Sequence, residues 1–404
     1  MIKCLTDTRT VSRTELVPIA MAGPDHHAVP VGQNGFKKIL ASEGIEFLTS
    51  ASGKVLWSAI DGKTVCLFFS ANWCRPCKAF TPSLIQMYNS LKKTGENLEI
   101  VFVSSDRDEE AYTKHLETMP WLAVPFNLNL CTRLTRLFNI NLIPALIPLN
   151  VNGNIVEDNV VSLVEDYGAD AFPFTRERKD ELRAMDERKR RGGRIEELLA
   201  HAGRDYLISR NGRKILVSEL VGKTIGLYFG AHWCPPARNF TSQLIQSYKE
   251  LVTILNQPFE VIFISTDRDH DEFNCSLSSM PWPAIPYEDK TRQDLKRIFD
   301  IKGIPTLVLI GPDGKTISSN GRAMISMYGA MAFPFTEPRI AGIEASLRKE
   351  GDKIPYKVQD PKHVHELKLD MEKAYVCDAC KKQGRFWSFS CDVCDYDLHP
   401  KCVE

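Results

Sequence analysis

In Phe68-Phe69-Ser70-Ala71-Asn72-Trp73-Cys74-Arg75-Pro76-Cys77 an apolar run passes straight into a Trp-Cys-x-x-Cys, and a helical pattern follows. Two cysteines at this spacing on the first turn of a helix lie close enough to share a disulfide. The first also sits where unpaired backbone N–H groups and the helix dipole favour a thiolate. A bare Cys-x-x-Cys can equally be half of a zinc site. Here no second Cys or His pair lies nearby, a β-run precedes and an amphipathic helix follows, so the context favours redox chemistry.

The chain has 404 residues, enough for two or three domains with cores of their own. Its 51 Lys and Arg balance 51 Asp and Glu, so no overall charge directs it to nucleic acid or a membrane surface. Met1 to Gly23 shows no apolar segment behind a basic end, and no stretch reaches the apolar length of a bilayer span. Without a secretory signal, twelve cysteines read as reactive or metal-binding thiols rather than a disulfide scaffold. The expected compartment is the cytosol, with the nucleus open.

An internal repeat fixes the domain count. Trp73-Cys74 returns as Trp233-Cys234, Val103-Ser104-Ser105-Asp106-Arg107-Asp108 as Ile264-Ser265-Thr266-Asp267-Arg268-Asp269, and Met119-Pro120-Trp121 as Met280-Pro281-Trp282. Ile143-Pro144 returns as Ile304-Pro305, and Gly168-Ala169-Asp170-Ala171-Phe172-Pro173-Phe174-Thr175 as Gly329-Ala330-Met331-Ala332-Phe333-Pro334-Phe335-Thr336. A period of about 160 residues is a duplicated domain, not a solenoid.

Each copy has an α/β pattern. In the first, Lys63 to Ser70 predicts a buried strand, Cys74 to Lys93 a helix, Leu98 to Ser104 a strand and Asp108 to Thr118 a short helix. Leu130 to Phe138 has helical spacing, Ala145 to Asn150 reads as a strand, and Asn152-Gly153 as a hairpin turn into Ile155-Val156. The expected fold is a central mixed sheet flanked by helices. Arg176 to Arg194 is dense in charge and reads as a solvated helical linker; the weaker alternative for Arg188-Lys189-Arg190-Arg191 is a nuclear signal. The expected divisions are an extension over 1–30, domains over 31–178 and 194–347, linkers over 179–193 and 348–361, and a C-terminal module over 362–404.

The Trp-Cys-x-x-Cys after an apolar strand, the Ile-Pro about 70 residues later and the Met-Pro-Trp between them resemble the thioredoxin superfamily, in the branch of nucleoredoxins and tryparedoxins. The resemblance covers about 320 residues in two copies, and with the C-terminal module it is to plant-type nucleoredoxins. It implies that Cys74, the more accessible thiol, attacks a substrate disulfide and that Cys77, more buried, resolves the mixed disulfide. Arg75 adds positive charge beside the nucleophile, with Pro76 between the thiols. Pro144, after Ile143, matches the family's cis-proline, which faces the dithiol and offers a backbone edge to a peptide. An ordinary turn proline is the alternative. Trp73 either shields the thiols and contacts substrate or merely packs. Cys66 and Cys131 read as inert fillers.

The second copy keeps Trp233, Cys234, Pro235 and Pro236 but has Ala237 in place of the resolving cysteine; Pro305 is retained. A lone thiolate forms a mixed disulfide but cannot release the partner by itself. Binding or support of partners is the favoured reading, ahead of a monothiol centre resolved by glutathione or another cysteine such as Cys275, or a decayed copy.

Five of the twelve cysteines fall in the last 28 residues, as Cys377-x-x-Cys380, Cys391-x-x-Cys394 and His399-x-x-Cys402, with His363 and His365 upstream. This spacing suits thiolate-rich zinc sites in a segment too short for its own core. Tyr375-Val376-Cys377, Phe386-Trp387-Ser388-Phe389-Ser390-Cys391 and Cys394-Asp395-Tyr396-Asp397-Leu398-His399-Pro400-Lys401-Cys402 resemble the plant divergent C1 module. That pattern implies one site from His365, Cys391, Cys394 and Cys402 and a second from Cys377, Cys380 and His399, completed by water, His363 or Glu404, or left empty.

The expected architecture is α/β: two tandem thioredoxin-like domains and a small zinc-stabilised C-terminal module. The expected activity is protein-disulfide reduction at Cys74/Cys77, on protein substrates rather than nucleic acid or membrane. The resemblance implies recharging by NADPH through thioredoxin reductase. No Gly-rich dinucleotide fingerprint is present, so zinc is the expected bound cofactor, without nicotinamide or flavin. The alternative is a redox-sensitive adaptor.

Overall fold

The computed structural model describes residues 17–18, 33–201, 203–371 and 375–403. They divide into two units, one ending at Asp186 and the other beginning at Glu187. The extension expected over 1–30 lies outside the described residues except for Val17 and Pro18, as does Glu404.

The first unit runs β1 (Val17–Pro18), α1 (Gln33–Ser42), β2 (Phe47–Ser50), β3 (Gly53–Leu56), β4 (Thr64–Ser70), α2 (Arg75–Lys93), β5 (Leu98–Ser104), α3 (Glu109–Leu116), β6 (Leu122–Ala123), α4 (Leu128–Leu137), β7 (Leu142–Ile143), β8 (Ala145–Leu149) and α5 (Val161–Tyr167). Its main sheet has the order β3-β2-β6-β5-β4-β8, with β4 parallel to β5 and antiparallel to β8. The apolar run in β4 is continuous because both faces are covered. Val65, Leu67 and Phe69 pack with Phe36 and Leu40 of α1 and Leu130 and Leu134 of α4. Cys66 and Phe68 pack on the opposite face with Phe80 and Leu84 of α2 and Val161 and Val164 of α5. Strand periodicity thus fixes which neighbours each β4 side chain meets.

Several boundaries and elements differ from the sequence reading. Helix α4 starts at Leu128 because Asn127 caps it, its Oδ1 accepting from the Leu130 N–H at 3.0 Å. Ile155-Val156 forms no strand; Gly153 supplies the positive φ of a turn, and only a Leu149–Ile155 bridge follows. The hairpin β2–β3 was not expected. The charged segment is helical from Arg176 to Arg191 (α6), and its buried residue Leu182 joins the α2–α5 face of the first core.

The second unit repeats the plan with α7 (Ile195–Leu199), β9 (Tyr206–Ile208), β10 (Lys214–Leu216), β11 (Thr224–Gly230), α8 (Pro235–Lys249), β12 (Phe259–Ser265), α9 (His270–Ser278), α10 (Thr291–Ile298), β13 (Thr306–Ile310), β14 (Thr316–Ser318), α11 (Gly321–Tyr328) and α12 (Glu337–Gly351). The sheet order is β12-β11-β13-β14, and here the terminal hairpin does form, as β13–β14. The C-terminal module adds β15 (Lys357–Val358), β16 (Leu367–Asp370), β17 (Tyr375–Val376), β18 (Gln383–Gly384), β19 (Ser388–Cys391) and β20 (Tyr396–Leu398). It docks on the second copy through Trp387, whose Nε1–H donates to the Leu347 carbonyl at 3.0 Å, and Phe386, stacked on Tyr328. Gly351 is required there, since a Cβ would overlap the Trp387 ring.

Phe68 touches Phe80, Phe102 and Trp121, with ring centroids 5.9 to 6.3 Å away. Phe68→Ala removes that filling and costs about 3–5 kcal/mol. Calorimetry is expected to show a lower Tm for the first unit's transition and an unchanged one for the second's.

Candidate redox and metal sites

The turn from β4 into α2 is held from below. Asp106, only 2% exposed, accepts the Asn72 N–H on Oδ1 at 2.7 Å and the Ser104 hydroxyl on Oδ2 at 2.8 Å. The Trp73 indole N–H donates to the Ser105 carbonyl at 3.2 Å. With the turn fixed, Cys74 becomes the N-cap of α2 and its Sγ accepts the Cys77 N–H at 3.2 Å. Such a bond, with the positive end of the helix dipole, favours negative charge on that sulfur. Cys74 and Cys77 are joined as a disulfide, with Cα atoms 5.2 Å apart. The Ile143 carbonyl lies 3.9 Å from Cys74 Sγ, and the Ile143–Pro144 peptide is cis.

Exposure corrects two expectations. Cys74 is 1% exposed, no more accessible than Cys77 at 0%. Trp73 is 47% exposed, which overturns the packing-only reading and sets an aromatic surface beside the dithiol. Arg75 is exposed and Pro76 half-buried. Burial pushes the Cys66 thiol far above its usual range and Cys131 up to about 11, so both stay protonated near neutrality. Asp106 is a positioning residue that the motif reading does not single out; its recurrence as Asp267, two residues beyond a buried strand, is the signal the sequence carries.

The second copy reproduces the turn without the second sulfur. Asp267 accepts the His232 N–H at 2.6 Å, and the Trp233 indole donates to the Thr266 carbonyl at 3.3 Å. Cys234, buried, sits 3.9 Å from the Ile304 carbonyl beside cis Pro305. Pro235 and Pro236 open α8, and Ala237 places a methyl group where Cys77 stands in the first copy. Arg268 lies over the Trp233 ring at 5.0 Å, and Cys275 is exposed on α9.

The C-terminal module gathers two clusters whose ligand atoms lie within 4.8 Å of one another: His363, His365, Cys391 and Cys394, and Cys377, Cys380, His399 and Cys402. This corrects the expected partition. Cys402 follows His399 through one tight turn, its N–H bonded to the His399 carbonyl at 2.8 Å, and so stays with the Cys377 cluster. His363 takes the fourth place beside His365; its buried Nε2 has no hydrogen-bond partner among the described residues. Two tetrads of Cys and His donors fit tetrahedral zinc, and neither needs water or Glu404 as a fourth ligand. Burial raises the Cys377 thiol, but N–H groups of Cys380, His399 and Ala379 outweigh it and bring it down to about 6.

Residues 62–155 and 222–316 match the thioredoxin-like family, and residues 361–403 the C1 domain. The fold and the dithiol at a helix N-cap therefore define a thioredoxin-like thiol oxidoreductase. The chain is 62% identical to probable nucleoredoxin 3 of Arabidopsis thaliana over 366 residues, covering 91% of this chain and 93% of that protein. To probable nucleoredoxin 3 of Oryza sativa subsp. japonica it is 54% identical over 337 residues, covering 82% and 72%. Tryparedoxin II from C. fasciculata is similar at 35% identity and TM-score 0.33, over 35% of this chain and 98% of that one. The chain belongs to the nucleoredoxin family. Among the described residues no helix is long and apolar enough to cross a membrane.

The metal clusters yield a direct test of the corrected partition. Cys391→Ser combined with Cys402→Ser disables both tetrads, so bound zinc by atomic emission is expected to fall from two ions per chain to none. Were the two cysteines ligands of one site, one ion would remain.

Proposed function

We propose that the chain reduces protein disulfides by dithiol exchange at Cys74 and Cys77. The observation that carries this reading is the N-capping Cys74 sulfur, which takes the Cys77 N–H and lies one helical turn from a second sulfur able to bond to it. In the reduced state Cys74 Sγ attacks one sulfur of a substrate disulfide; the Cys74–substrate bond forms and the other substrate sulfur leaves as thiolate. Cys77 Sγ then attacks Cys74 Sγ, closing the intramolecular disulfide and expelling the second substrate thiolate. Two electrons pass to the substrate, and each released thiolate takes a proton from solvent. Recharging needs a two-electron reductant, for which NADPH acting through thioredoxin reductase is the proposal.

In this reading Trp73 and the Ile143–Pro144 edge meet the substrate, and Arg75 lends positive charge to the approach. The second copy, with Ala237 opposite Cys234, binds or supports partners and does not turn over alone. Zinc in the C-terminal module would pin the small core of Leu367, Tyr375, Phe389 and Leu398, with His363, His365, Cys391 and Cys394 holding one ion and Cys377, Cys380, His399 and Cys402 the other. The setting proposed is cytosolic, with the nucleus as a second location, and the partners are proteins rather than nucleic acid or membrane. The intact second-copy turn without its second thiol supports one other reading, a redox-sensitive adaptor.

Insulin reduction with excess reductant separates the two. The reductase reading expects many turnovers per chain, a loss of about a thousandfold in Cys74→Ser despite the retained Cys234, and a stable mixed disulfide in Cys77→Ser. Oxidation of one equivalent without turnover would establish the adaptor instead.

A further inference from the structure

The edge beside Cys74 already has an occupant. β7 belongs to no part of the main sheet; its partner is β1, antiparallel, with Val17 opposite Ile143 and Pro18 opposite Leu142. Ile143 is the residue whose carbonyl lies 3.9 Å from Cys74 Sγ. The register therefore sets the Val17 backbone across from the residue whose carbonyl faces the attacking sulfur. At the corresponding place in the second copy, Gly303 and Ile304 form no strand, so the first copy's pairing does not follow from the fold alone.

A strand edge has one row of N–H and C=O groups and pairs with one extended segment at a time. A protein substrate presented to Cys74 along this edge needs the same groups that β1 uses. Pro18 offers no N–H, and the pairing is two residues long, so each encounter is weak. Tethering compensates, because a segment of the same chain is present at high effective concentration.

We propose that Val17–Pro18 is an intramolecular occupant of the peptide edge at Leu142–Ile143, and that protein substrates reach Cys74 by displacing it. The kinetic part rests on the protein-disulfide reductase reading; the occupancy itself does not. The occupant restricts extended polypeptide more than a small disulfide, which requires no strand pairing.

The test compares the full chain with a variant lacking residues 1–21 and with Val17→Pro, which removes a backbone donor from the pairing segment. Hydrogen exchange by mass spectrometry is expected to show faster deuterium uptake at Leu142 and Ile143 in both variants. KM for insulin is expected to fall about threefold to tenfold, with the rate toward a small aromatic disulfide changed by less than about twofold. A synthetic peptide spanning residues 12–22 should restore the higher KM of the truncated protein. Unchanged exchange at Leu142 and Ile143 overturns the occupancy, even if no form turns insulin over. Faster exchange with an unchanged KM overturns the displacement step in a chain that does reduce insulin.

Discussion

A buried carboxylate beneath each strand-to-helix turn is the constraint from which the two sites follow. Asp106 and Asp267 take the N–H of Asn72 and His232, and in both copies a serine hydroxyl, Ser104 or Ser265, braces the other oxygen. A carboxylate this deep is tolerated only when its lone pairs are filled, which ties the turn to the end of the neighbouring strand. The turn then has one geometry, and the cysteine after it becomes a helix N-cap whatever occupies the position three residues on. For this reason Cys234 sits as Cys74 does although Ala237 has no sulfur to offer.

The two copies diverge around this shared turn in ways that bear on chemistry. Phe68 fills the space above α2 in the first; Tyr228 stands in its place in the second and donates or accepts at Thr241 Oγ1, 2.7 Å away, while its hydroxyl also reaches the Ala237 carbonyl. Cys131 on α4 corresponds to Arg292 on α10, whose guanidinium donates to the Ser265 carbonyl at 3.0 Å and lies over the Tyr287 ring. The second copy thus sets a hydroxyl at the first turn of α8 and a guanidinium at the end of β12, where the first has a phenyl ring and a thiol, while both cysteines at the turn stay in apolar clusters.

Much of this was legible in the sequence where one periodicity dominated. The strand expected from Lys63 to Ser70 spans Thr64–Ser70, and the one expected from Leu98 to Ser104 is unchanged, since both are covered on two faces and read as unbroken apolar runs. The β2–β3 hairpin escaped because its residues are largely half-exposed and its alternation is weak. In the metal module the spacing identified the donors but not their grouping. Which pairs converge depends on the His399–Cys402 turn and on His363 lying beside His365, and both are tertiary facts. Whether Trp73 is exposed was likewise undecidable from residue type, because tryptophan serves cores and surfaces equally well.

The contact between Trp387 and α12 gives the metal module a role in the integrity of its neighbour. The indole closes over the helix end at Gly351 and donates to the Leu347 carbonyl in the helix's last turn. Trp387 lies between β18, which follows Cys377 and Cys380 of one tetrad, and β19, which ends on Cys391 of the other, so cations held by the two tetrads would fix the span that carries it. Cation binding and this helix contact would then be thermodynamically linked: uptake by the last forty residues would reinforce the duplicated domain next to them, and stripping the cation would fray that domain from its C-terminal end.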